Sequence, residues 1–193
     1  MVTSTTNAAK PCARDRLLAA ANELFYAEGV QTVGIDRIIE HAGVAKASLY
    51  NTFGSKEELV RAYLEGRHER TKARLARDLA KYDDPRDKLL GVFDSQARLL
   101  SDPQFRGCAF ASASAEALPG SKVLEATDNY RRWLRELFTA LAEDADARDP
   151  KALALQLQLL YDGLALSGRM DHDPRSAKAA RAAAAALLDA ATT

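Results

Sequence analysis

The sequence predicts an all-α protein of about nine helices. Alanine, leucine, arginine and glutamate dominate, whereas valine, isoleucine and threonine, which favour strands, are sparse. Hydrophobic residues make up 47% of the 193-residue chain, which is enough for a substantial core. Several helix starts are marked by Asp-Pro, in which aspartate can cap the first free N–H groups and proline fits the first helical position. These pairs begin at Asp84, Asp102, Asp149 and Asp173.

Three helices are predicted near the N-terminus. The first runs from about Pro11 to Glu28 and stops at Gly29. Its buried face is expected to carry Leu17, Ala21, Leu24 and Phe25. The second has apolar residues at helical spacing from Ile35 and ends at Gly43, and a short third helix follows.

The rest of the chain is also predicted to be helical. A long fourth helix is expected from Ser55 toward Lys81, and Ser55 with Glu58 forms a capping-box pattern. Later helices are expected to begin near Pro85, Pro103, Ser121, Pro150 and Pro174. Residues 1–10 are polar and are predicted to be a disordered tail.

The short third helix, from about Lys46 to Phe53, follows a tight break at Ala42-Gly43-Val44. Such a break between two helices is typical of a helix-turn-helix, whose second helix enters the DNA major groove. Leu49 and Phe53 can face inward. The side chains left for DNA are Lys46, Ala47, Ser48, Tyr50, Asn51 and Thr52, together with Lys56 at the start of the next helix. The pattern alone fits a plain helical corner equally well.

From about Leu17 to Val60 the sequence resembles the DNA-binding domain of the TetR (tetracycline repressor) family of transcriptional regulators. The resemblance includes Phe25, Gly29, Ala42-Gly43-Val44 and the run SLYNTFGSKEELV that begins at Ser48. It implies that Tyr50 and Lys56 hold phosphates, while Lys46 to Ser48 and Asn51 lie nearest the bases.

Three positions depart from the family pattern. Gly34 stands where serine or threonine often caps the second helix, and Ala47 stands where glycine is common. Thr52 replaces an aromatic residue or histidine that often touches the DNA backbone. The departure at Gly34 predicts a weaker cap, and the one at Thr52 puts that phosphate contact in doubt.

The resemblance also implies a C-terminal domain that binds a small ligand and pairs two subunits. We place the DNA-binding domain at residues 11–58 and this second domain at 59–193. The eighth helix, Pro150 to Gly168, has leucines on two stripes, so it needs two packing partners. One stripe carries Leu153, Leu157, Leu160 and Leu164, and the other carries Leu155, Leu159 and Leu166. A homodimer through the last two helices is expected, with burial inside one subunit as the alternative.

A ligand cavity is expected between the fourth and eighth helices. Candidate lining residues are Phe93, Gln96, Leu100, Phe110, Ser114, Tyr130, Trp133, Phe138 and Tyr161. Taken alone, each of them fits a core position better than a ligand contact. Cys108 is interpreted as a small buried apolar group, with a redox sensor as the alternative.

Composition and motifs bear on the other function classes. Lys plus Arg and Asp plus Glu number 27 each, so any DNA-binding surface must be local. Two cysteines are too few for a disulfide framework, and no apolar run has membrane-spanning length. No phosphate loop, nucleophile elbow or zinc motif is present, so neither an enzyme nor a cofactor is expected. The prediction is a cytoplasmic, ligand-responsive, dimeric repressor of operator DNA. The alternative is a helical interaction module or ligand-binding protein that does not bind DNA.

Overall fold

The computed structural model describes residues 11–192, and this part of the chain contains nine α-helices and no strand. The helices are α1 (Ala13–Glu28), α2 (Ile35–Ala42), α3 (Lys46–Phe53), α4 (Lys56–Leu79), α5 (Pro85–Leu100), α6 (Ala109–Ala115), α7 (Lys122–Asp144), α8 (Pro150–Met170) and α9 (Arg175–Thr192). The all-α prediction is confirmed. The predicted disordered tail lies outside the described residues.

Most predicted helix starts are built as the sequence indicates. A side-chain oxygen of the capping residue accepts a backbone N–H three residues on, which satisfies a donor that the first turn leaves open. These bonds join Ser55 to Glu58 (3.1 Å), Asp84 to Asp87 (2.9 Å), Ser121 to Leu124 (3.4 Å) and Asp149 to Ala152 (3.0 Å). Gly34, as expected, gives α2 no side-chain cap.

The prediction that a helix begins near Pro103 is wrong. Asp102 Oδ1 accepts the N–H of Gln104 at 2.8 Å, and the Asp102 carbonyl accepts the N–H of Phe105 at 2.9 Å. This closes a tight turn instead of opening a helix, because the carboxylate captures a donor two residues on. Gly107 then adopts a positive φ of 89°, and α6 starts at Ala109.

The chain divides into two compact units, and the division falls between Tyr63 and Leu64, inside α4. In the first unit α1 packs on α2 and α3. Its buried core includes Leu17, Leu24, Phe25, Ile38, Leu49 and Tyr63. The rings of Phe25 and Tyr63 meet edge to face with centroids 5.6 Å apart. The sequence-based boundary lies five residues earlier than this division.

In the second unit α8 packs against α5, α7 and α9. Arg131 pairs with Asp162 and Arg135 with Gln158, each at 2.9 Å, a register that shows α7 and α8 to be antiparallel. The core is aliphatic and aromatic, with Phe93 and Phe138 almost fully buried. No helix within residues 11–192 combines the length and apolar character needed to cross a bilayer.

Candidate nucleic-acid interface

The turn between α2 and α3 is fixed by a glycine in the left-handed conformation. Gly43 has φ 61° and ψ 45°, which a residue without Cβ adopts at little cost. Its N–H donates to the Glu40 carbonyl, and the N–H of Val44 donates to the Ile39 carbonyl, both at 3.1 Å. This pair of bonds is a Schellman motif, which ends α2 and sets the direction of α3.

An arginine from α1 completes this turn. Nη1 of Arg16 donates to the Gly43 carbonyl at 2.9 Å and to the Ala42 carbonyl at 3.4 Å. These carbonyls lie at the C-terminus of α2, where a cation is also favoured by the helix dipole. Arg16 therefore holds the α2–α3 turn in position from α1. The sequence analysis missed Arg16, although it stands one helical turn before the core residue Ala20.

Helix α3 is anchored by one side and exposed on the other. Leu49 is 0% exposed, and Phe53 is half-buried with the guanidinium of Arg14 5.9 Å from its ring centroid. The candidate DNA contacts that lie exposed are Lys46, Ala47, Tyr50, Asn51 and Thr52, while Ser48 is half-buried. The structure thus brings the six α3 candidates to one short helix whose polar side chains reach solvent.

Two of the candidates have their polar groups partly engaged. The Thr52 hydroxyl donates to the Ser48 carbonyl at 2.6 Å, inside the same helix, so its hydrogen is directed away from solvent. Lys46 Nζ donates to Asp36 Oδ1 at 2.8 Å, and this hydrogen bond raises the pKa of the lysine. Asp36, in the first turn of α2, was not among the predicted site residues.

Lys56 opens α4 directly after the capping residue Ser55 and is half-buried. Gly54 lies between α3 and this start with a positive φ of 77°. The first turn of a helix carries N–H groups that attract anions, and an ammonium there adds charge. Lys56 therefore lies one short turn beyond the end of α3.

The six aromatic ligand-pocket candidates form two groups in the second unit. Phe93, Phe138 and Tyr161 have ring centroids 6.0 to 6.5 Å apart. Phe110 stacks on Tyr130 at 3.8 Å, and Tyr130 meets Trp133 at 6.0 Å. The sequence analysis missed His68 of α4, whose ring centroid lies 5.0 Å from that of Trp133. Burial lowers the pKa of His68, and its Nε2 has no hydrogen-bond partner.

The remaining pocket candidates and Cys108 differ in their surroundings. Gln96 is only 4% exposed, and its Oε1 accepts no hydrogen bond. Leu100 packs against Gly168 so closely that a Cβ there would lie 2.6 Å from it. The Ser114 hydroxyl donates to the Ala111 carbonyl of its own helix at 3.1 Å. Burial raises the pKa of the Cys108 thiol, which disfavours the reactive thiolate.

A polar network beside Tyr161 joins α4, α5 and α8. Arg74 donates to Ser95 Oγ and, at 3.5 Å, to the hydroxyl of Tyr161. Ser95 in turn donates to Asp78 at 2.6 Å, and Arg98 donates to Asp78 at 2.7 Å. These two hydrogen bonds hold the pKa of the buried Asp78 carboxyl far below its usual range.

A groove of about 610 Å³ lies on the surface of α7 and the start of α8, and none of the predicted pocket residues lines it. It is lined by Asp128, Arg131, Arg132, Arg135, Glu136, Thr139, Ala140, Glu143 and Lys151. Among residues 11–192, no group of three or more His, Cys, Asp or Glu side chains is arranged to hold a metal ion.

Comparison with known proteins places this geometry in a family. Residues 17–63 match the family described as "Bacterial regulatory proteins, tetR family". A TetR-family transcriptional regulator of Streptomyces coelicolor is 32% identical in its crystal structure, with a TM-score of 0.88 over 94% of this chain and 96% of that one. A TetR-type protein of Streptomyces avermitilis is 33% identical, with a TM-score of 0.82 over 94% and 98%.

Curated relatives match over a shorter stretch. The HTH-type transcriptional regulator TtgR of Pseudomonas putida is 34% identical over 114 residues, which cover 53% of this chain and 54% of that protein. The chain thus spans about half the length of the curated relatives it matches. Since the Streptomyces structures are matched over nearly their whole length at more than 30% identity, the chain belongs to the TetR family of transcriptional regulators.

Proposed function

We propose that this protein is a dimeric transcriptional repressor that binds a two-fold operator and is released from it by a small molecule. The observation that carries the proposal is α3, a short helix held by Leu49 and the Arg16-braced turn, with its polar face open to solvent. A major groove admits one such helix, whose side chains read base edges and phosphates. A regulator of bacterial genes would act in the cytoplasm.

In this proposal the residues of α3 divide into two roles. Tyr50 and Lys56 bind phosphates, which fixes the register on the duplex. Asn51, Lys46, Ala47 and Ser48 lie toward the bases. The Thr52 hydroxyl, which donates inside α3, is left with its acceptor lone pairs only, so we assign it a minor role.

Dimerisation supplies the second recognition helix. On α8 the exposed residues Leu155, Leu159, Leu166 and Met170 form one stripe, while Leu153, Leu157 and Leu164 are buried on the other side. Gly163 lies within the exposed stripe, and a Cβ there would meet nothing within 4 Å. Large apolar side chains in a row on the surface are typical of an interface. We infer that α8 and α9 of two subunits pack together, because a two-fold operator requires two copies of α3.

The effector is proposed to bind among the aromatic residues of the second unit. Tyr130, Trp133 and Phe110 lie together there. In this proposal the unpartnered Oε1 of Gln96, buried in the same unit, is assigned as a polar group for orientation. A compound that binds this region would shift the regulator between states only through its differential affinity for them. Trp133 fluorescence should therefore change over the same effector concentrations that release DNA.

The test is DNA binding by the full chain at several salt concentrations. We expect the logarithm of the affinity for a mixed-sequence duplex to fall linearly with the logarithm of salt concentration, as phosphate contacts require. A selected operator should bind at least about a thousandfold more tightly than that duplex. A helical interaction module that does not bind DNA would show no salt-dependent binding to either duplex.

A further inference from the structure

The N-terminus of α3 carries an ion pair that the proposed function leaves unused. Lys46 Nζ lies 2.8 Å from Asp36 Oδ1, and the two side chains are 55% and 81% exposed. Asp36 is in the first turn of α2, whereas Lys46 is the first residue of α3. The pair therefore links the two helices of the helix-turn-helix on its solvent side.

We propose that Asp36 is a specificity-determining residue, which partly neutralises Lys46 and thereby suppresses binding to DNA of arbitrary sequence. This inference rests on the proposed function, because it assumes that α3 enters the major groove. An ammonium attracts any phosphate whatever the sequence, and each phosphate it neutralises adds to the salt dependence of binding. A lysine already paired with a carboxylate gains less from a phosphate.

The same pair leaves Lys46 able to read a base. An ammonium has three N–H donors, of which Asp36 accepts one. The other two can still reach acceptors such as O6 and N7 of guanine. Asp36 thus lowers the affinity of the ammonium for phosphates and leaves two donors for a base. The consequence is a higher ratio of operator to non-specific affinity.

Asp36 also has a structural role, which the test must separate from suppression of non-specific binding. An acid in the first turn of α2 is favoured by the helix dipole. Helix α3 has no side-chain cap and no acidic residue in its first turn, so the carboxylate beside Lys46 also offsets charge there. If stabilising these helices were its whole function, Asp36→Asn would weaken DNA binding. Suppression of non-specific binding makes the opposite prediction.

The experiment compares wild type, Asp36→Asn, Lys46→Met and the double variant, each as the full chain. Each is titrated with a mixed-sequence duplex of about 30 base pairs and with an operator selected from random DNA, over salt from ~50 to ~200 mM. Asp36→Asn should bind the mixed duplex about three- to tenfold more tightly, with a salt slope steeper by about one. Operator affinity should rise less, so the specificity ratio falls. Adding Lys46→Met to Asp36→Asn in the double variant should cancel the gain in affinity for the mixed duplex.

Glu40→Gln is the matched control, because it removes an exposed negative charge from α2 that is not paired with α3. The proposal is overturned if Asp36→Asn binds the mixed duplex no more tightly than wild type. It is equally overturned if the gain survives in the double variant, or if Glu40→Gln produces the same gain. Failure of wild type to bind any duplex would instead contradict the proposed function.

Discussion

At the scale of single residues, the geometry of α3 depends on groups that do not extend into solvent. Leu49 is fully buried and fixes which side of α3 is exposed, and the Thr52 hydroxyl is bonded within the helix. The exposed side chains of α3 are the ones that the proposal assigns to phosphate or base contacts. Positioning contacts affect every sequence alike, whereas base contacts change sequence preference.

The assignment of phosphate contacts predicts a uniform loss of affinity. Lys56→Ala should weaken binding to all duplexes about equally and lower the salt slope by roughly one, because one phosphate loses its cation. Tyr50→Phe should weaken all duplexes without changing the slope, since it removes only a hydroxyl. Filter-binding titrations at several salt concentrations measure both quantities.

Asn51→Ala provides the contrast in the same titrations. It should change the order of preference among operator variants, because an amide pairs with base edges. If Lys56→Ala and Tyr50→Phe both bind every duplex as wild type does, the phosphate assignment is wrong.

A second residue-scale prediction concerns acid stability. The pKa of Asp78 is held far below its usual range by hydrogen bonds from Ser95 and Arg98. A depressed carboxyl pKa stabilises the fold above the unfolded-state value of about 4, and this contribution is lost as pH falls from there toward the folded-state pKa. Asp78→Asn should therefore lower the free energy of unfolding at neutral pH by about 1–2 kcal/mol.

The pH dependence distinguishes this account from simple loss of packing. The free energy of unfolding of wild type, measured in urea, should fall as pH drops below about 4. That of Asp78→Asn should fall less over the same range. Ser95→Ala, which removes one of the two donors, should give an intermediate slope. An equal acid loss in wild type and Asp78→Asn would show that another carboxyl is responsible.

At the scale of elements, local signals predicted most helices but not the contacts between them. The bounds of α3 agree with the sequence prediction because Gly43 ends α2 shortly before it and Gly54 ends α3 itself. Asp102-Pro103 was misleading because the same aspartate can close a turn or cap a helix, and the sequence alone does not say which. Arg16 and His68 were missed because their partners are distant in sequence.

The brace on the α2–α3 turn can be tested directly. Arg16→Met should remove the donors to the Ala42 and Gly43 carbonyls and lower the free energy of unfolding by about 1 kcal/mol. DNA affinity should fall more than this stability loss alone would cause, because α3 loses its fixed direction. Denaturant titration and DNA binding on the same samples provide the comparison.

Arg37→Met is the matched control for that variant. Arg37 pairs with Glu28 on an exposed surface of the same unit, where ion pairs contribute little. It should leave stability nearly unchanged. If Arg16→Met behaves like Arg37→Met in both assays, the turn does not depend on the arginine.

At the scale of the whole molecule, the two leucine stripes of α8 separate as the sequence indicated. Leu153 and Leu157 are buried, whereas Leu159 is 64% exposed. Both stripes could be predicted because helical spacing alone assigns residues to faces. The candidate ligand pocket was less predictable, since apolar residues pack a core or line a cavity with the same sequence pattern.

The proposed dimer predicts that a charge on the exposed stripe will dissociate it. Leu155→Glu or Leu159→Glu would bury an unpaired carboxylate between subunits, which is strongly unfavourable. Sedimentation at micromolar concentration should show wild type as a dimer and these variants as monomers. Leu118→Glu is the control, because Leu118 is exposed outside α8 and α9. A monomeric wild type would rule out the assembly.

The central claim is that two copies of α3 read a two-fold operator. Its most direct test is to sequence the genomic DNA that the protein retains after pull-down, with Lys46→Met and Tyr50→Phe as parallel samples. Our account predicts enriched sites that share an inverted repeat, with half-sites one helical turn or a multiple of it apart. Lys46→Met should lose or alter that enrichment, and Tyr50→Phe should retain less DNA with the same motif. Retained DNA without a shared motif, or the same motif retained undiminished by both variants, would contradict the account.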